Sequence, residues 1–399
     1  MKRPRVAHII TRLILGGAQE NTLYTVIGQQ RDYDVTLVIG VDDGTEGSLR
    51  DRATAANVRV IVVPTLVRPI RPLTDLRALI SLVRLLRRER FDIVHTHSSK
   101  AGIIGRLAAR LAGVPVVVHT LHSLVFHEYQ AAWKNSIYIW LKRCCAPITD
   151  LLISVNDRTT RGALAAGIGR PEQYLTIYSG FELDLFLEIR DRLTVEAAKQ
   201  RLGIPPDAPV VGKIARLFPL KGHEQFLEAA AEIARLNPAV WFLLVGDGPI
   251  RPEIERQVAA LGLRDRTIFT GRVPPDDVPA CIQAMDVVVH TSLREGLARV
   301  LPQAGAVGKP IVTFNLDGAP EVVEDGVSGY LVAPLDTSAL ARRTVELLAD
   351  PELGRRMGET GRAFVERTFS VERMVQLINE QYERLLEVRA YPTIADVPR

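Results

Sequence analysis

The 399-residue chain has few cysteines and no long apolar run, and both shortages narrow what it can be. Cys144 and Cys145 are adjacent and Cys281 stands alone, so neither a disulfide framework nor a metal-ligand spacing follows. This usage is typical of the reducing cytosol. The absence of any run of roughly 18 apolar residues excludes a predicted membrane-spanning helix. The N-terminal MKRPRVAHII has a short apolar core and no small-residue cleavage site, so it does not predict a signal peptide.

Two chemical signatures are missing as well. The first glycine-rich loop, with Gly16 and Gly17, is not a G-x-G-x-x-G fingerprint, so a nicotinamide-dependent dehydrogenase is poorly supported. His127 and Glu128 are not followed by the second histidine of a zinc-binding H-E-x-x-H pattern. No internal repeat or low-complexity tract is evident. The sequence therefore predicts neither a dinucleotide-binding motif nor a metal site.

The charge is small overall but unevenly spread. Residues 1–190 carry 25 Lys and Arg against 17 Asp and Glu, a net +8, whereas the remainder carries 25 against 29, a net −4. A basic first half and an acidic second half suggest different partners for each, although ordinary scatter of solvated charges is the alternative. A chain of this length suits two domains of about 200 residues.

Short apolar runs alternate with helix-length segments along the whole chain, which predicts an α/β protein with parallel sheets covered on both faces. The predicted helix Thr74–Arg90 places Leu76, Leu79, Ile80, Val83 and Leu86 on one face. A second helix is predicted over Ala101–Ala112. The predicted strands are Val6–Ile10, Val35–Ile39, Val58–Val63, Ile93–Thr96, Val116–Thr120, Leu151–Val155, Leu175–Tyr178, Val210–Ala215, Trp241–Val245, Thr267–Thr270, Val287–His290, Ile311–Phe314 and Tyr330–Val332.

A polar stretch divides this alternation into two Rossmann-like domains. It spans residues 188–209 and ends in IPPDAP, which resists regular structure and predicts a hinge. The first domain is then expected at residues 1–187 and the second at 210–370, followed by a C-terminal helix and tail at 371–399. Because ligands of such sheets bind at the carboxyl ends of the strands, the two domains are expected to face a common cleft.

The segment SLREGLARVLPQAGAVGKP, residues 292–310, carries the most specific signal. Glu295 follows an apolar strand at a predicted strand-to-helix junction, with Gly296 and Leu297 after it, and Gln303 comes eight positions later. Within one helix that spacing is roughly 12 Å along the axis. A helix N-terminus also favours a phosphate. The segment predicts a site for an elongated ligand with a charged middle and hydroxyl-bearing ends, the shape of a nucleotide sugar. An ordinary amphipathic helix surface is the alternative.

A second signal is the loop after the strand at Val210. Arg216 and Lys221 leave this one loop beside a predicted helix N-terminus, and two cations aimed at one point would stabilise a pyrophosphate leaving group. Solvated surface charges are the alternative. Gly246 and the run Gly271-Arg272-Val273 also follow predicted strands, but alone they indicate only turns. His95 and His97 flank a strand end, and a structural role is favoured for each.

Together these segments resemble glycosyltransferase family 4, retaining enzymes of the GT-B fold. The resemblance spans nearly the whole chain and rests on an R-x4-K-G loop (Arg216, Lys221), an E-x7-E segment in which Gln303 replaces the second Glu, and a His-Gly pair that here reads His122-Ser123. It implies that Glu295 and His122 bond the transferred sugar and that Gln303 bonds the ribose, since an amide can still bond a hydroxyl.

The same resemblance implies the remaining contacts. Gly16 and Gly17 match a Gly-Gly loop of the family. Gly246 lies near the nucleotide in relatives, and the Gly271-Arg272-Val273 turn borders the base. The C-terminal helix is expected to cross back to the first domain.

The sequence thus predicts a retaining hexosyl- or N-acetylhexosaminyl-transferase with a nucleotide-diphosphate sugar donor, UDP-linked before GDP-linked. The second domain would hold the nucleotide and the first a glycan or lipid-linked acceptor in surface polysaccharide synthesis. No metal or other cofactor is expected, because cations and the helix dipole neutralise the pyrophosphate, and no nucleic acid partner is expected. The alternative from another class is a non-catalytic nucleotide-sugar-binding or scaffold protein that kept the fold, and a dehydrogenase is a weaker third.

The segment Phe126–Arg143 suggests where such an enzyme would work. Trp133, Tyr138 and Trp140 lie there beside Lys134, Lys142 and Arg143, and aromatic with basic residues suit a membrane interface. The predicted helix at Thr74 adds Arg77, Arg84, Arg87 and Arg88. We expect a cytoplasmic protein that binds anionic bilayers peripherally at the inner face of the membrane. The alternative is that the aromatic side chains pack in the core.

Overall fold

The computed structural model of the protein describes residues 3–41 and 47–390, which form two compact units. Unit 1 groups the chain up to Phe181 with the segment from Val371 onward, and unit 2 is Glu182–Ser370. Each unit is built on one parallel β-sheet, seven-stranded in unit 1 and six-stranded in unit 2, with helices between the strands. The α/β class with two Rossmann-like sheets is confirmed.

The sheet of unit 1 has the strand order β3-β2-β1-β4-β5-β6-β7, and every neighbouring pair is parallel. Its strands are β1 Arg5–Ile10, β2 Asp34–Ile39, β3 Arg59–Val62, β4 Ile93–His97, β5 Val116–Leu121, β6 Leu151–Ser154 and β7 Tyr174–Thr176. Its helices are α1 Gly17–Gln29, α2 Arg50–Ala55, α3 Pro72–Glu89, α4 Ser99–Ala112, α5 Ala132–Cys145 and α6 Asp157–Ala165, and the C-terminal α16 Val371–Ala390 joins them. Short 3-10 turns lie at Ala146–Ile148 and Pro171–Gln173.

The sheet of unit 2 has the order β10-β9-β8-β11-β12-β13 and is also parallel throughout. Its strands are β8 Val210–Ile214, β9 Trp241–Val245, β10 Thr267–Gly271, β11 Val287–His290, β12 Ile311–Phe314 and β13 Gly329–Val332. Its helices are α7 Asp184–Leu187, α8 Ile189–Arg192, α9 Val195–Arg201, α10 His223–Leu236, α11 Arg251–Ala260, α12 Val278–Gln283, α13 Val300–Val307, α14 Thr337–Ala349 and α15 Pro351–Thr368. Its 3-10 turns are Arg264–Arg266, Pro275–Asp277 and Ala319–Glu321.

All thirteen predicted strands are present, with ends that differ by at most a few residues. The reason is that strands buried on both faces are continuous apolar runs, which a sequence displays directly. The stretch predicted as a hinge, residues 188–209, groups with unit 2, where α8 and α9 pack on α12. Within it, buried Lys199 donates to Asp286 Oδ2 at 2.9 Å.

Helix α16 completes the core of unit 1, as expected for the C-terminal helix. It packs on α1 and contributes Met374, Val375, Ile378 and Tyr382 to the same apolar cluster as the strands of the first sheet. The ring of Tyr382 is fully buried and packs edge-on against Tyr33. The first unit is therefore discontinuous in sequence.

The apolar face predicted for α3 is wrong in part. The helix buries Ala78, Leu82, Leu85 and Leu86, whereas Leu76 is 54% exposed and Ile80 is 41% exposed. Leucine, isoleucine and valine occur nearly all round this helix, so the sequence alone offers two apolar faces and does not say which one packs. The alternative that the aromatic residues of α5 pack in the core is also wrong for two of them, because Trp133 is 63% exposed and Trp140 is 62% exposed.

Candidate active site

The strand order of unit 2 reverses direction between β8 and β11, the place where open parallel sheets bind ligands. The loop after β8 carries Arg216 and Lys221, and the loop after β11 carries Glu295. The fold therefore places the two strongest sequence signals at one edge of one sheet. Arg216 is exposed and its guanidinium carbon lies 4.8 Å from the centre of the Phe218 ring.

Lys221 and Glu295 form an ion pair across this edge. The Lys221 ammonium donates to Glu295 Oε1, and the two side chains are only 19% and 25% exposed. Asp317, from the loop after β12, accepts the backbone N–H of Glu295 at 2.6 Å. Three loops thus converge on Glu295, so the alternative that Lys221 is merely a solvated surface charge does not hold. Sequence reasoning missed Asp317 as a contact of this site.

Gly222 joins the first two loops closely. Its backbone is left-handed (φ 65°), and a Cβ atom there would lie 1.8 Å from the carbonyl oxygen of Thr291. The Thr291 hydroxyl in turn donates to the carbonyl oxygen of Gly222 at 2.5 Å. Only glycine fits this backbone conformation and this approach without strain. The glycine after Lys221 therefore sets the separation of the loops that carry Lys221 and Glu295.

Two buried basic side chains support the loop after β8. Lys213, at 1% exposure, donates to Thr291 Oγ1 at 2.7 Å, and burial lowers the pKa of its ammonium to about 7. The ring of His223 donates from Nε2 to the carbonyl oxygen of Arg216 at 3.0 Å, and burial lowers the pKa of this imidazole to about 4. The sequence offered a signal for Lys213, since a lysine inside an apolar strand must find a polar partner.

A small pocket opens beside Glu295 between the ends of β11 and β12. Its lining includes His290, Ser292 and Asp317. The side chains of His290 and Ser292 are 5% and 4% exposed, and within the described part of the chain His290 Nδ1 and Ser292 Oγ have no hydrogen-bond partner. Buried polar atoms are normally paired, so these two suit a hydroxyl-bearing ligand or water.

The helix expected to open at Glu295 begins five residues later. Helix α13 starts at Val300, and Gln303 is its fourth residue. The reason is Pro302, which lacks an N–H and is tolerated only in the first turn of a helix. A helix running from Glu295 would have placed this proline in its interior. The predicted axial spacing of Glu295 and Gln303 along one helix is therefore wrong, although Gln303 does lie in the helix that follows, where it is half-buried.

The remaining predicted residues of unit 2 lie at strand ends. Gly246 and Gly271 follow β9 and end β10, and the Gly246 N–H donates to the Gly271 carbonyl oxygen at 3.0 Å. A Cβ atom on Gly246 (φ 136°) would lie 2.1 Å from the Ala215 carbonyl oxygen, so the loop after β9 also packs against the loop after β8. Arg272 is exposed and Val273 is half-buried. Gly296 and Leu297 are buried beside Glu295.

In unit 1, Gly16 is the N-cap of α1 and Gly17 its first residue. Gly16 has an extended backbone (φ 166°), so its loop does not need glycine for its conformation. His122 follows β5 and is half-buried, and its Nε2 lies 3.3 Å from Nδ1 of His97. The strands thus bring His97 and His122 together, which their sequence separation did not show.

Comparison with known protein families identifies the family to which this chain belongs. The family described as "Glycosyl transferase 4-like domain" matches residues 16–180. The family described as "Glycosyl transferases group 1" matches residues 194–364. The chain belongs to glycosyltransferase family 4. The family resemblance inferred from the Arg216, Lys221 and Glu295 segments is confirmed.

One relative matches this glycosyltransferase over nearly its full length, and another matches about three quarters of it. It is 30% identical to the UDP-Gal:alpha-D-GlcNAc-diphosphoundecaprenol alpha-1,3-galactosyltransferase of Escherichia coli, covering 95% of this chain and 96% of the relative. It is 32% identical to the 2-deoxystreptamine glucosyltransferase of Streptomyces kanamyceticus, covering 76% and 80%. Among solved structures, Anabaena Alr3699/HepE in complex with UDP and glucose matches with a TM-score of 0.81 and 26% identity, covering 95% and 99%. These neighbours and the two parallel sheets identify the fold as GT-B.

Proposed function

We propose that this glycosyltransferase transfers a hexose or N-acetylhexosamine from a UDP-sugar with retention of the anomeric configuration. The observation that carries the proposal is the Lys221–Glu295 pair at the reversal point of the second sheet, beside Arg216. The Anabaena structure, which contains UDP and glucose, and the Escherichia coli relative, which is named for UDP-Gal, support uridine over guanosine.

Lys221 and Arg216 would hold the pyrophosphate. A cation fixed before the reaction stabilises the charge that develops on the leaving group without reorganising. Lys221 is held by Glu295, and the loop behind Arg216 is held by His223. With two cations so placed, the proposal requires no metal.

Glu295 would bond hydroxyls of the transferred sugar. The pocket formed with His290 and Ser292 offers further polar atoms within the same loop region, and its buried hydroxyl and ring nitrogen suit an alcohol. His122 remains a proposed contact of the sugar, and Gln303 a proposed contact of the ribose. Gly246, Gly271 and Arg272 would border the nucleotide.

Retention is proposed to proceed by departure and attack on one face of the sugar. A double displacement would need a carboxylate aimed at the anomeric carbon. Glu295 is paired with Lys221, and Asp317 accepts the Glu295 N–H, so neither carboxylate of this loop pair is arranged as such a nucleophile. The cation-bound leaving group would then assist the incoming hydroxyl.

The acceptor is proposed to be a glycan or lipid-linked glycan of surface polysaccharide synthesis. The Escherichia coli relative is named for a diphosphoundecaprenol-linked acceptor. A long polyprenyl chain is hydrocarbon and partitions from water into a bilayer. No helix in the described part of this chain is long and apolar enough to cross a membrane. The proposal therefore needs a surface on which the protein meets a bilayer from one side.

Helices α3, α4 and α5 of unit 1 offer such a surface. They lie side by side, with α4 in contact with both neighbours. All three expose large apolar side chains, most of them more than half exposed: Leu73, Leu76 and Ile80 on α3, Leu107 and Leu111 on α4, and Trp133, Ile137 and Trp140 on α5. We call this set the α3–α5 face. The exposed arginines of α3 and Lys134, which lies over the Trp133 ring, add positive charge.

Apolar side chains with flanking cations suit the interface of an anionic membrane. We propose salt-sensitive, peripheral binding through the α3–α5 face, on the cytoplasmic leaflet. The experiment uses a Trp241→Phe background, so that emission reports Trp133 and Trp140 alone, the other two tryptophans of the chain. Anionic vesicles should shift that emission to the blue and float the protein at low salt, and neutral vesicles should not. Failure to float at low salt would refute the membrane proposal and leave the transferase proposal intact.

The transferase proposal is tested with the purified protein. UDP-glucose, UDP-galactose, UDP-N-acetylhexosamines and GDP-mannose are supplied with a polyprenyl-diphosphate glycan, and products are identified by mass spectrometry. Proton NMR of the first product gives its anomeric configuration, and the opposite configuration to the donor would refute retention. Tight UDP binding with neither transfer nor slow donor hydrolysis would instead favour the non-catalytic binding protein.

A further inference from the structure

A series of hydrogen-bonded side chains runs through unit 1 and ends at His122. His8 on β1 and His97 on β4 are 0% and 1% exposed. His8 Nδ1 lies 3.0 Å from His97 Nε2, and His97 Nδ1 lies 3.3 Å from His122 Nε2. Each imidazole therefore meets the next through one nitrogen of each ring.

The series continues beyond His8 to the surface. His8 Nε2 lies 2.8 Å from Oε1 of Gln29, on α1. The Gln29 amide donates from Nε2 to Asn379 Oδ1, on α16, at 2.9 Å. Asn379 donates from Nδ2 to the carboxylate of Asp32 at 3.2 Å. Gln29 is fully buried, whereas Asp32 is exposed at the mouth of the series.

The carboxylate of Asp32 gives the series a direction, because an ionised carboxylate only accepts hydrogen bonds. Asn379 must then donate to Asp32 and accept from Gln29, and Gln29 must accept from His8. His8 thus carries its proton on Nε2 and accepts at Nδ1.

The same logic passes to the next two rings. Because His8 Nδ1 accepts, His97 must donate from Nε2 and accept at Nδ1. His122 must therefore donate from Nε2. Burial supports this assignment, since it lowers the pKa of His8 and His122 to about 4 and that of His97 well below its usual value, so all three rings are neutral near pH 7.

We propose that this side-chain series, from Asp32 through Asn379, Gln29, His8 and His97, fixes His122 as the Nε2-protonated tautomer. Nδ1 of His122 is then a hydrogen-bond acceptor, and a ligand hydroxyl meets it as a donor. Gln29, His8 and His97 are positioning residues that act through His122. The tautomer of His122 follows from the hydrogen bonds alone and does not depend on the proposed function. The assignment of a ligand hydroxyl as the donor to His122 Nδ1 does rest on the proposed function.

A divalent cation is the competing occupant of this region. Ring nitrogens of His8, His95 and His97 lie within 4.8 Å of one another, and all three residues are buried. However, His95 bonds through Nδ1 to the Tyr382 hydroxyl at 2.6 Å and through Nε2 to Thr120 Oγ1 at 2.7 Å. With the series above, every ring nitrogen of the three has a hydrogen-bond partner. A cation would have to break several of these hydrogen bonds, so the side-chain series accounts better for the geometry.

The test is ¹⁵N NMR of the full-length protein labelled at its histidine rings. There are eight histidines, and a His122→Gln variant assigns the signals of His122. In the parent protein we expect His122 Nε2 to be protonated and Nδ1 bare. The opposite assignment would overturn the proposal without any variant being made.

Gln29→Met supplies the second arm, because it keeps the length of the side chain and removes the acceptor for His8. His122 should then become a mixture of tautomers, and an equal mixture would lower kcat/KM for the donor about twofold by halving the competent fraction. The neighbouring Gln30→Met is the matched control and should change neither quantity. An unchanged His122 in folded Gln29→Met would refute the series, as would stoichiometric Zn²⁺ binding that shifts the His8 and His97 signals. Loss of transfer activity in the parent would bear on the proposed function alone.

Discussion

Gly222→Ala tests whether the contact between the β8 and β11 loops sets the geometry of the site. The new Cβ atom would start 1.8 Å from the Thr291 carbonyl oxygen, and real Cβ contacts essentially never fall below 3.0 Å. The loops must therefore separate by at least about 1.2 Å, and a misplacement of about 1 Å costs roughly 100-fold in rate. Lys221 directly precedes Gly222 in one loop, and Glu295 follows Thr291 in the other, so separating the loops displaces both side chains. We expect a loss in kcat of about 100-fold.

Gly262→Ala is the matched control in the same unit. Gly262 has a similar left-handed backbone (φ 69°), but a Cβ atom there meets no atom of the described residues within 4 Å. Both variants bear the strain of alanine in this conformation, roughly 1–2 kcal/mol. In a unit of this size that corresponds to a fall in Tm of about 2–8 °C. Gly262→Ala should therefore be destabilised and fully active.

The assay is donor turnover under saturating acceptor, with Tm measured by circular dichroism on the same preparations. A folded Gly222→Ala enzyme that turned over at the parent rate would show that the loop contact does not position Lys221 and Glu295. A comparable loss of activity in Gly262→Ala would show instead that general destabilisation explains the effect.

Three further predictions concern single side chains. Lys221→Ala and Arg216→Ala should each lower turnover by about 100- to 1,000-fold with little change in folding, and parent-rate transfer by Lys221→Ala would remove it from the leaving-group site. Gln303→Glu should keep or strengthen UDP binding and Gln303→Leu should weaken it by about 1–3 kcal/mol, whereas equal calorimetric affinities for all three would place Gln303 outside the site. Because the pKa of Lys213 is about 7 in the folded protein against 10.5 ordinarily, only the unfolded chain gains this proton as the pH falls from about 10 to 7. The free energy of unfolding of Lys213→Met relative to that of the parent, measured with urea, should rise as the pH falls over that range and level off below pH 7. A pH-independent difference would contradict the lowered pKa of Lys213.

The strands and the site loops were predictable for different reasons. Buried parallel strands such as Val287–His290 are written as apolar runs, and their carboxyl ends must share one edge, so Arg216, Lys221 and Glu295 were expected together. What the sequence did not show was distance: the Lys221–Glu295 ion pair depends on the β8–β11 pairing and on Gly222.

One error had a signal that the sequence did contain. Pro302 marked the late start of α13, since a proline belongs in the first turn of a helix. The sequence also contained a signal for the histidine cluster, since His95 and His97, two residues apart in a strand, had to lie on one face. The sequence had no signal for which face of α3 is exposed. Leu76 and Leu82 are the same residue type, and they differ only in whether neighbouring elements cover them.

The contribution of α16 to unit 1 affects how the chain folds as it is synthesised. Unit 2 is one continuous segment, Glu182–Ser370, and can complete its core while the ribosome still holds the residues of helix α16. Unit 1 begins first but lacks Met374, Ile378 and Tyr382 until helix α16 has been synthesised. The usual N-to-C order of domain folding is thus reversed for its final step. A nascent or truncated chain that stops before Val371 would expose the apolar surface of α1 and become a substrate for chaperones and proteases.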